Sequence, residues 1–82
     1  MKVHVIYYDS PHHTPIMYDD RNTAVGVAGE YWCAHDKARV RVLRFDTTIY
    51  RTLDECRHAM DLHLPWTDVH GVLIWKDGRP VE

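Results

Sequence analysis

Two stretches of the chain share a strand-like pattern, and this repetition limits the fold more than any other feature of the sequence. Residues 38–46 alternate between polar and apolar side chains, are rich in β-branched valine and end at an aspartate, where a turn is expected. Residues 3–10 match residues 40–47 in character at nearly every position, at a spacing of 37 residues. We interpret residues 38–46 as the central strand of a sheet, and the similarity as a sign of an internal pseudo-repeat.

The N-terminal part of the chain predicts a strand, a loop, a short strand and a helix. Residues 2–8 have the alternation of a strand, and residues 16–18 predict a short returning strand after a proline-containing loop. Residues 22–35 place apolar side chains on one helical face, with Asp19 or Asp20 as the N-cap. A strand is the alternative for residues 22–35, because their two glycines weaken a helix.

The middle of the chain predicts a hairpin arm followed by a capped helix. Residues 47–50 are expected to pair back on the central strand as a short hairpin arm. Residues 52–55, Thr-Leu-Asp-Glu, form a capping-box pattern, which satisfies amide groups at a helix start. We therefore predict a helix over about 53–63, stopped by Pro65.

The C-terminal part predicts a hairpin. Residues 72–75 are apolar and resemble a buried strand, and Asp77-Gly78 is a strong signal for a two-residue turn. Pro80 restricts the last strand, about 79–82, to a sheet edge because it cannot donate a backbone hydrogen bond.

The predicted architecture is a single α+β domain over residues 1–82, with one mainly antiparallel sheet and the element order ββαββαββ. Both helices are expected on one face of the sheet, over Val3, Val5, Val40 and Val42. By strand parity the opposite face carries a mixture of aromatic, aliphatic and arginine side chains: His4, Ile6, Tyr8, Arg39, Arg41, Leu43 and Phe45.

The expected open face is the candidate contact surface, since aromatic and arginine side chains are typical anchors of protein interfaces. Six of the ten basic residues lie between positions 37 and 57, against three acidic ones, although the whole chain carries a formal charge of −2. The alternative is that another strand, a loop or a second copy of the chain covers this face. The candidate partner-binding residues are Tyr8, Arg39, Arg41, Arg44, Phe45, Arg51 and Trp75.

Nucleic-acid binding through the arginine-rich strand is an alternative function. It has less support, because residues 39–45 lack the glycine–aromatic signature of the common RNA-binding sheet and the chain is slightly acidic.

A small zinc site is a third alternative. Seven histidines and two cysteines provide suitable ligands in His12-His13, Cys33-x-His35 and Cys56-x-His58. The spacing is poor, since residues two apart on a helix point in different directions. We therefore predict no metal and no cofactor.

Catalysis has little support in the sequence. Asp9-Ser10 and Asp46-Thr47 follow two strands and resemble turns in which side chains bond their own backbone. There is no glycine-rich phosphate loop and no hydrolase motif. We predict that the protein is not an enzyme.

The sequence is typical of a small non-catalytic binding protein that acts in a cytoplasm. It has no apolar run near the roughly 18 residues of a membrane span, and its two cysteines are expected to be free thiols. By analogy of size and class, we expect a phage or mobile-element accessory protein. Such a protein would work in the host cytoplasm and inhibit a larger host complex by covering one of its surfaces, as anti-CRISPR proteins do. A homodimer is compatible with the sequence.

Overall fold

A computed structural model describes residues 1–10, 12–35 and 39–81. Their elements form one five-stranded antiparallel sheet, in the order β2-β1-β3-β4-β5, with two helices. In chain order the elements are β1 (Lys2–Tyr8), β2 (Ile16–Tyr18), α1 (Arg21–Ala34), β3 (Val40–Asp46), α2 (Leu53–Asp61), β4 (Val72–Lys76) and β5 (Arg79–Pro80). The predicted α+β class is confirmed. Position 38 of the predicted central strand and position 82 of the predicted last strand lie outside the described residues.

The pairing of β1 with β3 decides which side chains share a face of the sheet. The two strands pair along their whole length, with Val3 opposite Phe45 and Val5 opposite Leu43. Directly opposed residues point to the same side, so these four side chains share one face. The prediction that Val3 and Val5 share a face with Val40 is wrong, because that grouping is one residue out of register.

The two helices cover opposite faces of the sheet, so the prediction of both helices on one face is also wrong. Ala24 and Ala28 of α1 belong to a first core cluster with Ile6, Val40, Val42, Ile74 and Trp75. Cys56 of α2 belongs to a second cluster with Val3, Val5, Met17 and Phe45. The expected open face is therefore largely covered, and both faces of the sheet bury apolar side chains.

The segment after β3 is irregular and does not form the predicted hairpin arm at residues 47–50. The Thr47 hydroxyl accepts a hydrogen bond from the Ile49 amide at 3.3 Å and donates one to the Trp66 carbonyl. This local side-chain bonding competes with strand pairing. The element order is ββαβαββ, and the proposed repeat is incomplete because its second half has no counterpart of β2.

Both helices begin at side-chain caps. Asp20 is the N-cap of α1 and accepts a hydrogen bond from the Thr23 amide at 2.8 Å, which confirms the helix over the strand alternative. Thr52 accepts a hydrogen bond from the Glu55 amide at 3.2 Å, and its hydroxyl also lies 2.9 Å from the Glu55 carboxylate. The predicted start of α2 is confirmed by this capping contact.

Helix α2 ends two residues earlier than predicted, because His63 adopts a left-handed conformation with φ of 57°. The His63 amide donates to the Met60 carbonyl at 3.1 Å, and the Leu64 amide donates to the Ala59 carbonyl at 2.8 Å. This hydrogen-bond pair is the Schellman arrangement, which satisfies the last carbonyls of a helix before Pro65.

The tight turn between β4 and β5 also joins β3 and α1. Asp77 and Gly78 both have positive φ, 45° and 89°, as the predicted two-residue turn requires. The Asp77 carboxylate accepts from the Val40 amide at 2.8 Å, and the Asp77 amide donates to the Val40 carbonyl at 3.0 Å. A Cβ atom on Gly78 would lie 2.9 Å from the Trp32 ring of α1.

We predict opposite effects of alanine at two glycines. Gly78→Ala should destabilise the fold by about 1–2 kcal/mol, because it places a side chain at positive φ and against Trp32. Gly26→Ala is the matched control, since Gly26 is exposed in α1 with no atom near its Cβ position. It should stabilise the fold by up to about 1 kcal/mol. Urea unfolding measures both, and equal effects would contradict the prediction.

Candidate binding site

A cavity of about 310 Å³ opens at one end of the sheet. It lies where β1 and β4 end and β3 begins, so three neighbouring strands contribute to it. We call this site the basic cavity, and it is lined by Tyr8, Asp9, Arg39, Arg41 and Lys76.

Strand pairing brings the charged side chains of the basic cavity together. Arg41 and Lys76 are direct cross-strand partners on β3 and β4. Arg39 precedes Arg41 by two residues, and the Asp9 amide donates to the Arg39 carbonyl at 2.9 Å. The ladder between β1 and β3 therefore continues for one residue beyond the strands, and the sheet fixes the backbone under all four side chains.

The basic cavity combines cationic charge with phenol groups. Three cationic side chains line it against a single carboxylate, that of Asp9. The Arg41 guanidinium lies 5.7 Å from the centre of the neighbouring Tyr7 ring, in cation–π range. Burial raises the pKa of Tyr7, although the Arg41 charge opposes this shift, and burial also raises the pKa of Tyr8. Both phenols therefore stay neutral at physiological pH.

Tyr8 also begins a row of ring side chains on the sheet face that α1 covers, opposite the face of Arg41 and Lys76. We call Tyr8, His13, Tyr31 and His35 the aromatic row. The centre of the Tyr31 ring lies 4.4 Å from that of Tyr8 and 4.3 Å from that of His35, and Tyr31 and His35 are stacked. His13 contacts the row from the loop after β1, with its ring centre 5.4 Å from Tyr8 and 4.9 Å from Tyr31.

The structure brings together three of the seven residues predicted to bind a partner, Tyr8, Arg39 and Arg41. Two other arginines lie elsewhere: Arg44 is opposite His4 on the face that α1 covers, and Arg51 is exposed in the segment before α2. Neither of them lines the basic cavity.

Phe45 and Trp75 are core residues, which corrects their assignment to an open face. Phe45 is 7% exposed and packs edge-on against the Trp66 ring at 4.7 Å. Trp75 is 5% exposed and belongs to the core cluster under α1. The preceding residue, Ile74, is buried in the same cluster, and the register between β3 and β4 is irregular here. Neither side chain is accessible to a partner in this fold.

Sequence reasoning did not identify Lys76 as part of the site. The Asp-Gly turn directly after Lys76 fixes the end of β4, so the hairpin itself was foreseeable. Its position opposite Arg41 depends on the β3–β4 register, which includes an irregularity between Val42 and Leu43.

Arg57 has a structural role at the sheet edge. Its Nε atom donates a hydrogen bond to the Met17 carbonyl at 2.8 Å, and its guanidinium lies 5.5 Å from the centre of the Tyr18 ring. Met17 and Tyr18 belong to the edge strand β2, whose backbone groups would otherwise be available to another chain. Arg57 thereby ties α2 to this edge.

His4 is a buried polar side chain outside the cavity. It is 5% exposed, and its Nδ1 atom has no hydrogen-bond partner. Burial lowers the pKa of His4, and the positive charges of Arg21 and Arg44 lower it further. Backbone hydrogen bonds with Tyr18 and Asp19 have the opposite effect and raise it.

The described residues contain no group of three His, Cys, Asp or Glu side chains that could hold a metal ion. Cys33 is exposed and Cys56 is buried, and both are free thiols. Burial raises the pKa of the Cys56 thiol, which disfavours its metal-binding form. Within residues 1–10, 12–35 and 39–81, no helix has the length and apolar character needed to cross a membrane.

Comparisons with protein-family models, with curated proteins and with solved structures find no match for this chain.

We predict that stability decreases with acidity because of His4. The pKa of His4 in the folded state lies below the ordinary value of 6.5. As the pH falls, His4 is therefore protonated at a higher pH in the unfolded chain than in the folded one. The free energy of unfolding should therefore fall as pH drops below about 6.5. Urea unfolding between pH 7 and pH 5 should show this slope. His4→Leu should reduce it. An unchanged slope in His4→Leu would contradict the assignment.

Proposed function

We propose that this protein is a non-catalytic binding domain that holds an acidic segment of a larger protein in its basic cavity. The observation that carries the proposal is the convergence of Arg39, Arg41 and Lys76 from neighbouring strands, with one carboxylate among the lining residues. Complementary charge of this kind speeds association and selects partners more than it adds raw affinity.

The size of the cavity favours a single anionic side chain with its neighbours over a long polyanion. At about 310 Å³ the cavity is at the lower end of ordinary ligand pockets. Arginine forms paired hydrogen bonds with a carboxylate, and the rigid sheet beneath Arg41 and Lys76 reduces the entropy lost on binding.

The alternative of nucleic-acid binding needs a track of cations that follows a phosphate backbone. Arg44, Arg51 and Arg57 do not extend the basic cavity into such a track. Arg44 lies on the face covered by α1, Arg51 lies before α2, and Arg57 is bonded to the Met17 carbonyl. This distribution favours a protein partner.

The biological setting that we propose comes from size and class alone. The domain would act in the cytoplasm as an accessory protein of a phage or mobile element, and inhibit a larger host complex by covering one of its surfaces. An anti-CRISPR protein is one example of this class. Recovery of a nuclease-resistant, stoichiometric protein partner from a host lysate tests this setting.

The first test of the site uses a short, fluorescently labelled oligoglutamate peptide and its anisotropy. We expect salt-sensitive binding by the wild type. The double variant Arg41→Gln, Lys76→Gln should bind at least about tenfold more weakly, because a hydrogen bond to a charged group contributes about 1.5 kcal/mol or more. Both side chains are exposed, so the fold should be retained.

Arg51→Gln is the matched control, because it removes one positive charge from an exposed site outside the cavity. Its affinity for the peptide should stay within about twofold of the wild type, as expected for a distant and screened charge. The single variants Arg41→Gln and Lys76→Gln each remove one charge and allow a direct comparison. An equal loss of affinity in Arg51→Gln and in either of these single variants would show only an effect of net charge, and would contradict the proposed site.

A further inference from the structure

We propose that the basic cavity continues across the sheet to the edge strand β5, and that this surface takes two acidic side chains at alternate positions of an extended partner segment. We call Arg41, Lys76 and Arg79 the cationic strip. This inference rests on the proposed function of the basic cavity, and it adds the spacing of the acidic groups that the partner must present.

The strand register places the three side chains of the cationic strip next to each other on one face of the sheet. Arg41 on β3 is the direct partner of Lys76 on β4, and Lys76 is the direct partner of Arg79 on β5. Directly opposed residues point to the same side, so the strip shares the face of Tyr7, which is opposite Arg41 on β1. All three side chains of the strip are exposed. The cationic surface therefore crosses three neighbouring strands and is open to a partner.

The positive charges of the cationic strip are not neutralised within the described part of the chain, where no carboxylate forms an ion pair with them. Asp77 lies between Lys76 and Arg79 in sequence, but its carboxylate accepts a hydrogen bond from the Val40 amide at 2.8 Å. Like charges directly opposite each other in a sheet repel and destabilise the pairing. A bound anionic group relieves this repulsion, so the strip favours a negatively charged partner.

The length of the cationic strip determines how many acidic groups it can take. Neighbouring strands lie about 4.8 Å apart, so the strip spans roughly 10 Å from Arg41 to Arg79. It ends at the edge strand β5 on one side and at the Tyr7 ring on the other. Alternate side chains of an extended segment point the same way and lie about 6.7 Å apart, so two of them fit within this span. The pattern expected in the partner is therefore a pair of acidic residues at positions i and i+2.

Arg79 is the residue that determines this spacing. It does not line the basic cavity, so a partner with a single acidic group can be held by Arg41 and Lys76 without it. The two-residue turn at Asp77 and Gly78 fixes Arg79 opposite Lys76 before any partner binds. A preorganised contact surface of this kind loses less conformational entropy on binding.

The test compares two labelled glycine–serine peptides of equal length and composition, with two glutamates at positions i and i+2 in one and at i and i+6 in the other. Six extended residues cover roughly 20 Å, so the second peptide in extended form reaches the strip with one carboxylate only. Fluorescence anisotropy at low salt should show that the wild type binds the i, i+2 peptide between about threefold and tenfold more tightly, as expected for one additional hydrogen bond between charged groups.

Arg79→Gln should reduce this ratio to about one and change the affinity for the i, i+6 peptide by no more than about twofold, because Arg79 is exposed and lies outside the cavity. Arg51→Gln is the matched control, since it removes the same charge from an exposed position away from the strip. It should keep the ratio of the wild type.

The outcomes separate the two proposals. If the oligoglutamate peptide does not bind, the proposed function is overturned, and the strip proposal with it. If oligoglutamate binds but the two-glutamate peptides bind equally or not at all, the cavity stands and the strip proposal is overturned. A preference for the i, i+2 peptide that persists in Arg79→Gln also overturns it. Tighter binding of a trinucleotide with the same two negative charges than of the i, i+2 peptide would replace both proposals with the nucleic-acid alternative.

Discussion

The register between β1 and β3 is the constraint on which the rest of the structure depends. These two central strands pair over their full length, with Val5 opposite Leu43 and Ile6 opposite Val42. That register gives each face of the sheet its own apolar set, so each face requires its own helix. A shift of one residue would move the apolar side chains of β3 to the other face and break up both sets.

The same register explains why charge collects at one end of the sheet. The helix α2 packs over the second core cluster, which includes Val3, Val5 and Phe45. Tyr7, Arg41 and Lys76 continue this face in the direction away from Phe45, and there arginine and lysine replace the apolar residues. The exposed end of the face that α2 covers is therefore formed by β1, β3 and β4, and the other end of this face is buried in the second core cluster. Rigid support of this kind is what a preorganised binding site needs.

Much of the fold was predictable from local sequence signals. The alternation in β1, the cap at Thr52 and the Asp77-Gly78 turn each specify structure through neighbouring residues. The assignment of side chains to the two faces of the sheet was not predictable in this way. Alternation divides each strand into two sets of side chains, but only the register between strands decides which sets share a face. Strand alternation alone therefore places Phe45 and Trp75 on the surface, although both are core residues.

The candidate site was accessible to sequence reasoning only where its residues come from adjacent positions in one predicted strand. Arg39 and Arg41 met that condition, whereas Lys76 and the aromatic row depend on contacts between β3, β4, α1 and the loop after β1. Tyr31 lies in the last turn of α1 and His35 is its C-cap, and the sequence pattern of this helix indicates burial alone. Their meeting with Tyr8 follows from the packing of α1 across the face opposite α2. The ring row therefore exists because α1 covers the face of the sheet that carries Tyr8.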